Sequence, residues 1–209
     1  AAVREYMGDS MALRRGIFLA DANALVAPQD RLAPLFQIVR DMGSESAVPM
    51  FAFLDGFSGR KKSAEDYAEL AALGLRRVYI GMESGHAPLL EWLRKPGRAQ
   101  DVMEAARAIK AGGVNVCVIV LLGAGGSRYA EGHVRDTIQA LKAMSLSAGD
   151  LIYFSEFVSL PDQPYGQMAE RDQIEALSVE QMRAQRQTIE KALAFTVRCA
   201  TYDIREFVY

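Results

Sequence analysis

The sequence has 209 residues, a length that suits one domain, and 50% of them are hydrophobic, enough to bury a sizeable core. The net charge of −2 and the pI of about 5.8 argue against a basic surface for nucleic acid. No apolar run approaches the ~18 residues of a membrane span, and no signal peptide is recognisable, so a cytoplasmic protein with no membrane partner is expected.

Short apolar runs alternate with longer amphipathic runs, which predicts strands alternating with helices. Five strands are predicted at residues 15–22, 48–55, 76–83, 114–123 and 150–158. The fourth is the most continuously apolar, as in strands that are buried on both faces of a parallel sheet. Helices are predicted at residues 31–43, 63–74, 87–97, 99–113, 129–144 and 178–193. Ser63 is a candidate N-cap of the second helix, with Asp66 at its third position, and Ser178 and Gln181 form a capping box at the start of the last. Residues 159–168 contain two prolines and are predicted to be irregular, whereas the tail after residue 194 is a candidate for a last strand.

This alternation indicates an α/β fold with a parallel sheet, strands in sequential order and right-handed crossovers. Five βα units are too few for a closed eight-stranded barrel, so both an open doubly wound sheet and a partial barrel that lacks its first unit fit the pattern. We expect a single domain over residues 1–209. Its βα units occupy about 14–160, and a helical extension with the possible last strand occupies 161–209.

Polar side chains stand where two of the predicted strands end. Asp21 and Asn23 follow the first strand, and Glu83 and Ser84 end the third strand between two glycines. Each pair has two interpretations. The first pair forms an Asx turn or binds a ligand's amine or carboxylate, and the second pair caps the next helix or binds ligand hydroxyls.

The segment Leu121–Arg128 is a glycine-rich loop between the fourth strand and a helix. Such loops cradle phosphates or carboxylates with backbone N–H groups, although a tight turn explains this one equally well. It matches neither a Walker A loop nor GxGxxG. Farther on, the charged neighbours of His133 favour a solvated helix start for this histidine.

The two cysteines, Cys117 and Cys199, each stand alone in an apolar neighbourhood. No CxxC or Cys/His spacing is present, so we expect two reduced, buried thiols and no metal ligands from this chain.

The order of four segments carries a family resemblance. "RGIFLADANAL", "GLRRVYIGMESG", "VNVCVIVLLGAGG" and "HVRDT" together resemble the radical S-adenosylmethionine (radical SAM) superfamily. The resemblance is to the subset around the elongator catalytic subunit and oxygen-independent coproporphyrinogen III oxidase, and it extends from about Arg14 to Ala194.

The resemblance implies a partial (βα)6 barrel, similar to a TIM barrel, with a curved parallel sheet and helices on its outer face. Family members are metal-binding Fe–S oxidoreductases that hold a [4Fe–4S] cluster on the three cysteines of a CxxxCxxC loop. SAM chelates the cluster, and an electron from a donor cleaves it to methionine and a 5′-deoxyadenosyl radical. This radical takes a hydrogen atom from the substrate.

The resemblance also implies a cofactor site, although it identifies no catalytic residue. Asp21 and Asn23 stand where the family meets the methionine amine of SAM, and Glu83 and Ser84 stand where it meets the ribose. The backbone of the fourth strand's end stands where the family meets the adenine or methionine part; the matching residues are Val120, Gly123, Gly125 and Gly126.

The sequence departs from the family in having no CxxxCxxC motif, so no [4Fe–4S] cluster is expected in this chain. We therefore expect a part of a longer enzyme, cut downstream of the cluster loop. One alternative is a cluster-free barrel lyase or isomerase that uses Asp21 and Glu83 as acid and base. Another is a non-catalytic module that binds a nucleotide or a partner. The residues do not indicate the substrate.

Overall fold

The computed structural model describes residues 16–19, 23–41, 48–58, 61–158, 163–194 and 197–202. Six strands form one sheet: β1 (Ile17–Leu19), β2 (Met50–Leu54), β3 (Leu75–Glu83), β4 (Asn115–Leu122), β5 (Leu151–Glu156) and β6 (Arg198–Tyr202). The helices are α1 (Gln29–Asp41), α2 (Ala64–Ala72), α3 (Ala87–Trp92), α4 (Ala99–Ala111), α5 (Gly126–Ala143), α6 (Pro164–Arg171) and α7 (Val179–Ala192). None of these helices is both long and apolar enough to span a membrane.

The sheet is parallel throughout, and its strands lie in the order β1-β2-β3-β4-β5-β6. This confirms the predicted sequential order, and β6 confirms the candidate last strand. The predicted irregular stretch is wrong from Pro164 onward, where α6 begins. Proline fits the first turn of a helix, because its fixed φ is helical and its missing N–H has no partner there.

One face of the sheet packs against helices. Val78, Ile80, Val118 and Ile152 are fully buried on this face. Helices α1, α2, α4, α5 and α7 bury side chains in the same core. The outer-face position predicted for the helices is thus confirmed for these five.

The opposite face carries a row of aromatic rings. The ring centroids of Phe18 and Phe53 lie 4.8 Å apart, those of Phe53 and Tyr79 5.8 Å, and those of Tyr79 and Tyr153 5.9 Å. Phe18 is 42% exposed. The core that the helices form with the sheet does not include these four rings, so we call this side of the sheet the inner face.

Capping residues set the ends of two helices as the sequence predicts. The Ser63 hydroxyl accepts from Asp66 N at 3.2 Å, and Asp66 Oδ2 accepts from Ser63 N at 2.8 Å, before α2. Ser178 and Gln181 make the same reciprocal pair before α7. Each pair satisfies backbone N–H groups that have no partner within the helix.

Candidate functional site

The predicted site residues lie in the sequence at or near the carboxyl ends of β1, β3 and β4. Because the strands are parallel, their carboxyl ends meet at one edge of the sheet, which we call the rim. The loops and helices that follow the strands at the rim determine which side chains can face a ligand.

Asn23 connects the ends of two strands. Its Nδ2 donates to Asp55 Oδ2 at 2.7 Å, and its Oδ1 accepts from Asp55 N at 3.3 Å. The Asp55 carboxylate also accepts from the backbone N–H groups of Phe57 and Ser58. Asn23 therefore fastens the β1 end to the β2 end, and its contact with a ligand amine stays a prediction. Its predicted companion Asp21 lies outside the described residues.

Glu83 ends β3 in an unusual conformation. Its φ is +61°, in the left-handed region that residues other than glycine seldom adopt. The register with β4 shifts between Gly81 and Glu83. Lys95 Nζ donates to Glu83 Oε1 at 2.9 Å, and among the described residues no hydrogen bond reaches the other oxygen, Oε2.

Gly81 provides the space that the Glu83 carboxylate occupies. A Cβ on Gly81 would lie 2.7 Å from Glu83 Oε1. Side chains alternate along a strand, so position 81 faces the same side as Tyr79 in the aromatic row. The carboxylate therefore lies at the rim on the inner face. Its position suits an acceptor for ligand hydroxyls, as predicted for the ribose, and this role stays a prediction.

Ser84 points into the protein. Its side chain is fully buried, its Oγ accepts from His86 N at 3.0 Å, and it is hydrogen-bonded to His133 Nδ1 at 2.8 Å. Within the structure Ser84 thus holds the loop after β3, and its predicted ligand contact is not tested.

His133 is fully buried on α5, so the predicted solvated helix start is wrong. Burial, and to a smaller extent the nearby His86, lowers the pKa of His133 from 6.5 to about 4. The charged neighbours of His133 misled the prediction, because they occupy other faces of the helix. A period of 3.6 places His133, Thr137 and Leu141 on one buried face, a signal that was present in the sequence.

Gly85 lets the loop after β3 lie directly on α5. Its N–H donates to Thr137 Oγ1 at 2.9 Å. A Cβ on Gly85 would lie 2.3 Å from the backbone oxygen of Asp136, so no larger residue fits without moving α5. The two glycines that flank Glu83 therefore have different purposes: Gly81 leaves space for a carboxylate, and Gly85 permits close backbone packing.

Three glycine N–H groups of the loop after β4 are paired within the protein. Gly123 N donates to Gln185 Oε1 at 3.0 Å, Gly125 N to the Tyr165 hydroxyl at 2.9 Å, and Gly126 N to the Gly123 carbonyl at 3.1 Å. All three glycines have positive φ, between 54° and 80°. The loop is thus a tight turn held by hydrogen bonds within the protein, and its predicted contacts with SAM stay predictions.

Val120 lies in the strand before this loop, with its side chain fully buried in the core beneath the helices. The side chain is thus directed away from the inner face. Any contact between Val120 and a ligand would involve the backbone alone, as the resemblance implies.

An aromatic cluster that the sequence did not indicate covers the glycine-rich loop. The ring of Tyr165 lies 4.1 Å from that of Phe157 and 5.1 Å from that of Trp92, measured between centroids. Trp92 Nε1 donates to Asp172 Oδ2 at 2.7 Å. These contacts hold α6 against the loop, although α6 itself has no buried residue.

The two cysteines lie on β4 and β6, with β5 between these strands. Both thiols are free, and burial raises the pKa of Cys117 to about 12 and that of Cys199 to about 11. The described residues contain no group of three Cys, His, Asp or Glu side chains that could hold a metal. These residues do not fit a [4Fe–4S] cluster, which takes its ligands from thiolates gathered in one place.

Several solved structures share this fold. The archaeal Methanocaldococcus infernus Elp3, with an N-terminal deletion, has a TM-score of 0.67 and 12% identity over 95% of this chain and 50% of its own. Coproporphyrinogen III oxidase from Escherichia coli, a radical SAM enzyme, has a TM-score of 0.63 and 11% identity over 92% and 45%. The fold is that of a partial radical SAM barrel.

A third structure supports the same radical SAM fold. The radical SAM methyltransferase TsrM from Kitasatospora setae, solved with cobalamin and a [4Fe–4S] cluster, has a TM-score of 0.58 and 20% identity, over 81% of this chain and 31% of its own. The predicted resemblance is thus confirmed at the level of the fold. This barrel spans half or less of each of these three chains. No protein-family model and no curated protein matches the sequence.

Proposed function

We propose that this chain is the barrel portion of a radical SAM enzyme and that its rim binds SAM, with the Glu83 carboxylate accepting hydrogen bonds from the ribose hydroxyls. The fold of the radical SAM neighbours supports the proposal. The observation that carries it is the Glu83 carboxylate, which lies at the rim on the inner face with one oxygen unpaired among the described residues.

The proposal assigns SAM binding to this chain but assigns the ligands of the iron–sulfur cluster to other residues. A bound cluster would supply the electron that cleaves SAM, and the full-length enzyme would also need a donor of that electron. This sequence has 2 cysteines, fewer than the three of a CxxxCxxC loop. Under the proposal, therefore, the cluster ligands belong to residues outside these 209, and a CxxxCxxC motif in the adjoining gene sequence is the expected finding.

The test is SAM binding by the full-length protein, prepared without oxygen and measured by isothermal titration calorimetry. We expect Glu83→Gln to weaken SAM binding about ten- to a hundredfold, because a hydrogen bond to a charged acceptor is worth roughly 1.5–3 kcal/mol. Glu91→Gln is the matched control, because Glu91 is an exposed glutamate on the neighbouring helix α3. A Glu83→Gln protein that binds SAM normally but melts several degrees lower would show that Glu83 has a structural role only.

A second function is a non-catalytic module that binds a nucleotide or a partner protein, and the glycine-rich loop favours the partner protein over the nucleotide. Its N–H groups at Gly123, Gly125 and Gly126 donate within the protein, so no donor among these three is free for a ligand. An assay of SAM cleavage by the full-length protein under reducing conditions distinguishes the two functions. Cleavage supports the enzyme, whereas a folded protein that leaves SAM intact supports the module.

A further inference from the structure

We propose that Lys95 is a positioning residue for Glu83: it binds one oxygen of the carboxylate and so directs the other toward the SAM ribose. This inference rests on the function proposed above. It adds Lys95 to that site, a residue just after the C-terminal end of α3 that neither the strand pattern nor the family resemblance indicated.

The backbone of Lys95 is fixed by the way α3 ends. Arg94 adopts a left-handed φ of +55°, its N–H donates to the Glu91 carbonyl at 2.9 Å, and Lys95 N donates to the Leu90 carbonyl at 2.9 Å. These two bonds form a Schellman motif, the arrangement that closes many helices. Pro96 follows and restricts the backbone of Lys95 further. The lysine side chain therefore starts from a well-defined point next to the rim.

The Glu83 carboxylate is held from two sides. Gly81 leaves the space in which Oε1 sits, and Lys95 Nζ lies 2.9 Å from the same oxygen. The side chain of Glu83 is 18% exposed and that of Lys95 is 35% exposed, so the pair is partly shielded from water. A carboxylate that is bound through one oxygen only keeps its other lone pairs for hydroxyl donors.

The ion pair of Lys95 and Glu83 lies near the surface, so we expect it to contribute little to the stability of the fold. Surface pairs contribute little to stability, because their attraction is screened and their long side chains lose freedom. We therefore expect the loss of Lys95 to affect the orientation of Glu83, and through it the affinity for SAM, more than the folding of the chain.

The experiment is a double-mutant cycle in the full-length protein, with SAM affinity measured by isothermal titration calorimetry and stability by thermal unfolding. Lys95→Met keeps the length of the side chain and removes its charge, and Lys95→Arg restores the charge. Lys142→Met is the matched control, because Lys142 is an exposed lysine in the last turn of α5.

We expect Lys95→Met to weaken SAM binding about tenfold, Lys95→Arg to recover most of that loss, and Lys142→Met to have no effect. Glu83→Gln is expected to weaken SAM binding clearly less in the Lys95→Met protein than in the wild type, because both changes act through one carboxylate. A melting temperature close to that of the wild type is expected for every Lys95 variant.

Two affinities of the Lys95→Met protein for SAM would overturn the inference while leaving the proposed function standing. One is wild-type affinity in Lys95→Met, and the other is tighter binding, which would show that Lys95 competes with the ligand for Glu83. Full additivity of Lys95→Met and Glu83→Gln would also contradict it. If the wild-type protein binds no SAM, the proposed function fails and the inference fails with it, a result that is visible before any variant is made.

Discussion

The buried histidine His133 makes the stability of this protein depend on pH in a definite direction. Its Nδ1 is hydrogen-bonded to the Ser84 hydroxyl, and its Nε2 is buried without a partner among the described residues. Protonation would place a positive charge in this closed position, and burial is the main reason why the pKa of His133 falls to about 4.

The unfolded chain binds this proton more readily than the native state does. Between the unfolded pKa of 6.5 and the native pKa of about 4, the unfolded state is protonated at position 133 and the native state is not. The free energy of unfolding therefore falls as the pH falls through this range, by up to about 1.4 kcal/mol per pH unit. From pH 7.5 to pH 5, the expected loss from His133 is about 2 kcal/mol.

The assay is urea unfolding followed by circular dichroism between pH 7.5 and pH 5, at constant ionic strength. His133→Asn removes the titrating group and keeps an amide that can bond to Ser84, so the pH slope of this variant should be smaller by about 2 kcal/mol over the range. His86→Asn is the matched control, because the sequence contains only 2 histidines. Asp136, whose pKa is held below its ordinary value of 3.8 by the hydrogen bond from Arg135, titrates below the range measured.

Equal slopes for the wild type and His133→Asn would refute this reasoning, since the native and unfolded states would then bind the proton equally. The same conclusion would follow if an NMR titration of the folded protein showed His133 becoming charged near pH 6.5. A flatter slope in the His86→Asn control would instead assign to His86 a larger influence on its neighbour than the structure indicates, because His86 lowers the pKa of His133.

The other predictions concern the loops at the rim. Gly85→Ala should lower the free energy of unfolding by about 1–3 kcal/mol in urea unfolding, because its Cβ would lie 2.3 Å from a backbone oxygen of α5. Gly81→Ala should lower it less but weaken SAM binding, since its Cβ meets the movable carboxylate of Glu83; equal destabilisation by both would contradict this. Tyr165→Phe should cost about 0.5–1.5 kcal/mol and speed amide exchange at Gly125, and unchanged exchange would show that the Tyr165 hydroxyl does not protect that N–H.

Local patterns in the sequence were enough to predict most of the fold. The unbroken apolar run of β4 predicted a strand buried in a parallel sheet, and the Ser63 and Ser178 caps predicted where α2 and α7 begin. These predictions succeeded because the pattern of buried residues along a strand or helix and the capping of a helix both depend on residues a few positions apart in the sequence. The helix α6 was missed because the two prolines and the glycine near its start are also typical of loops.

The sequence also determined which positions end the strands, and so which residues the rim can offer, Glu83 among them. Only the tertiary structure decided what those residues contact. Lys95, His133 and Gln185 reach the loops after β3 and β4 across 12, 49 and 62 residues of chain. Contacts of this kind leave no periodic signal, because they depend on how separate helices pack around the sheet. For that reason the sequence predicted a carboxylate at the rim, and the structure revealed the lysine that holds it.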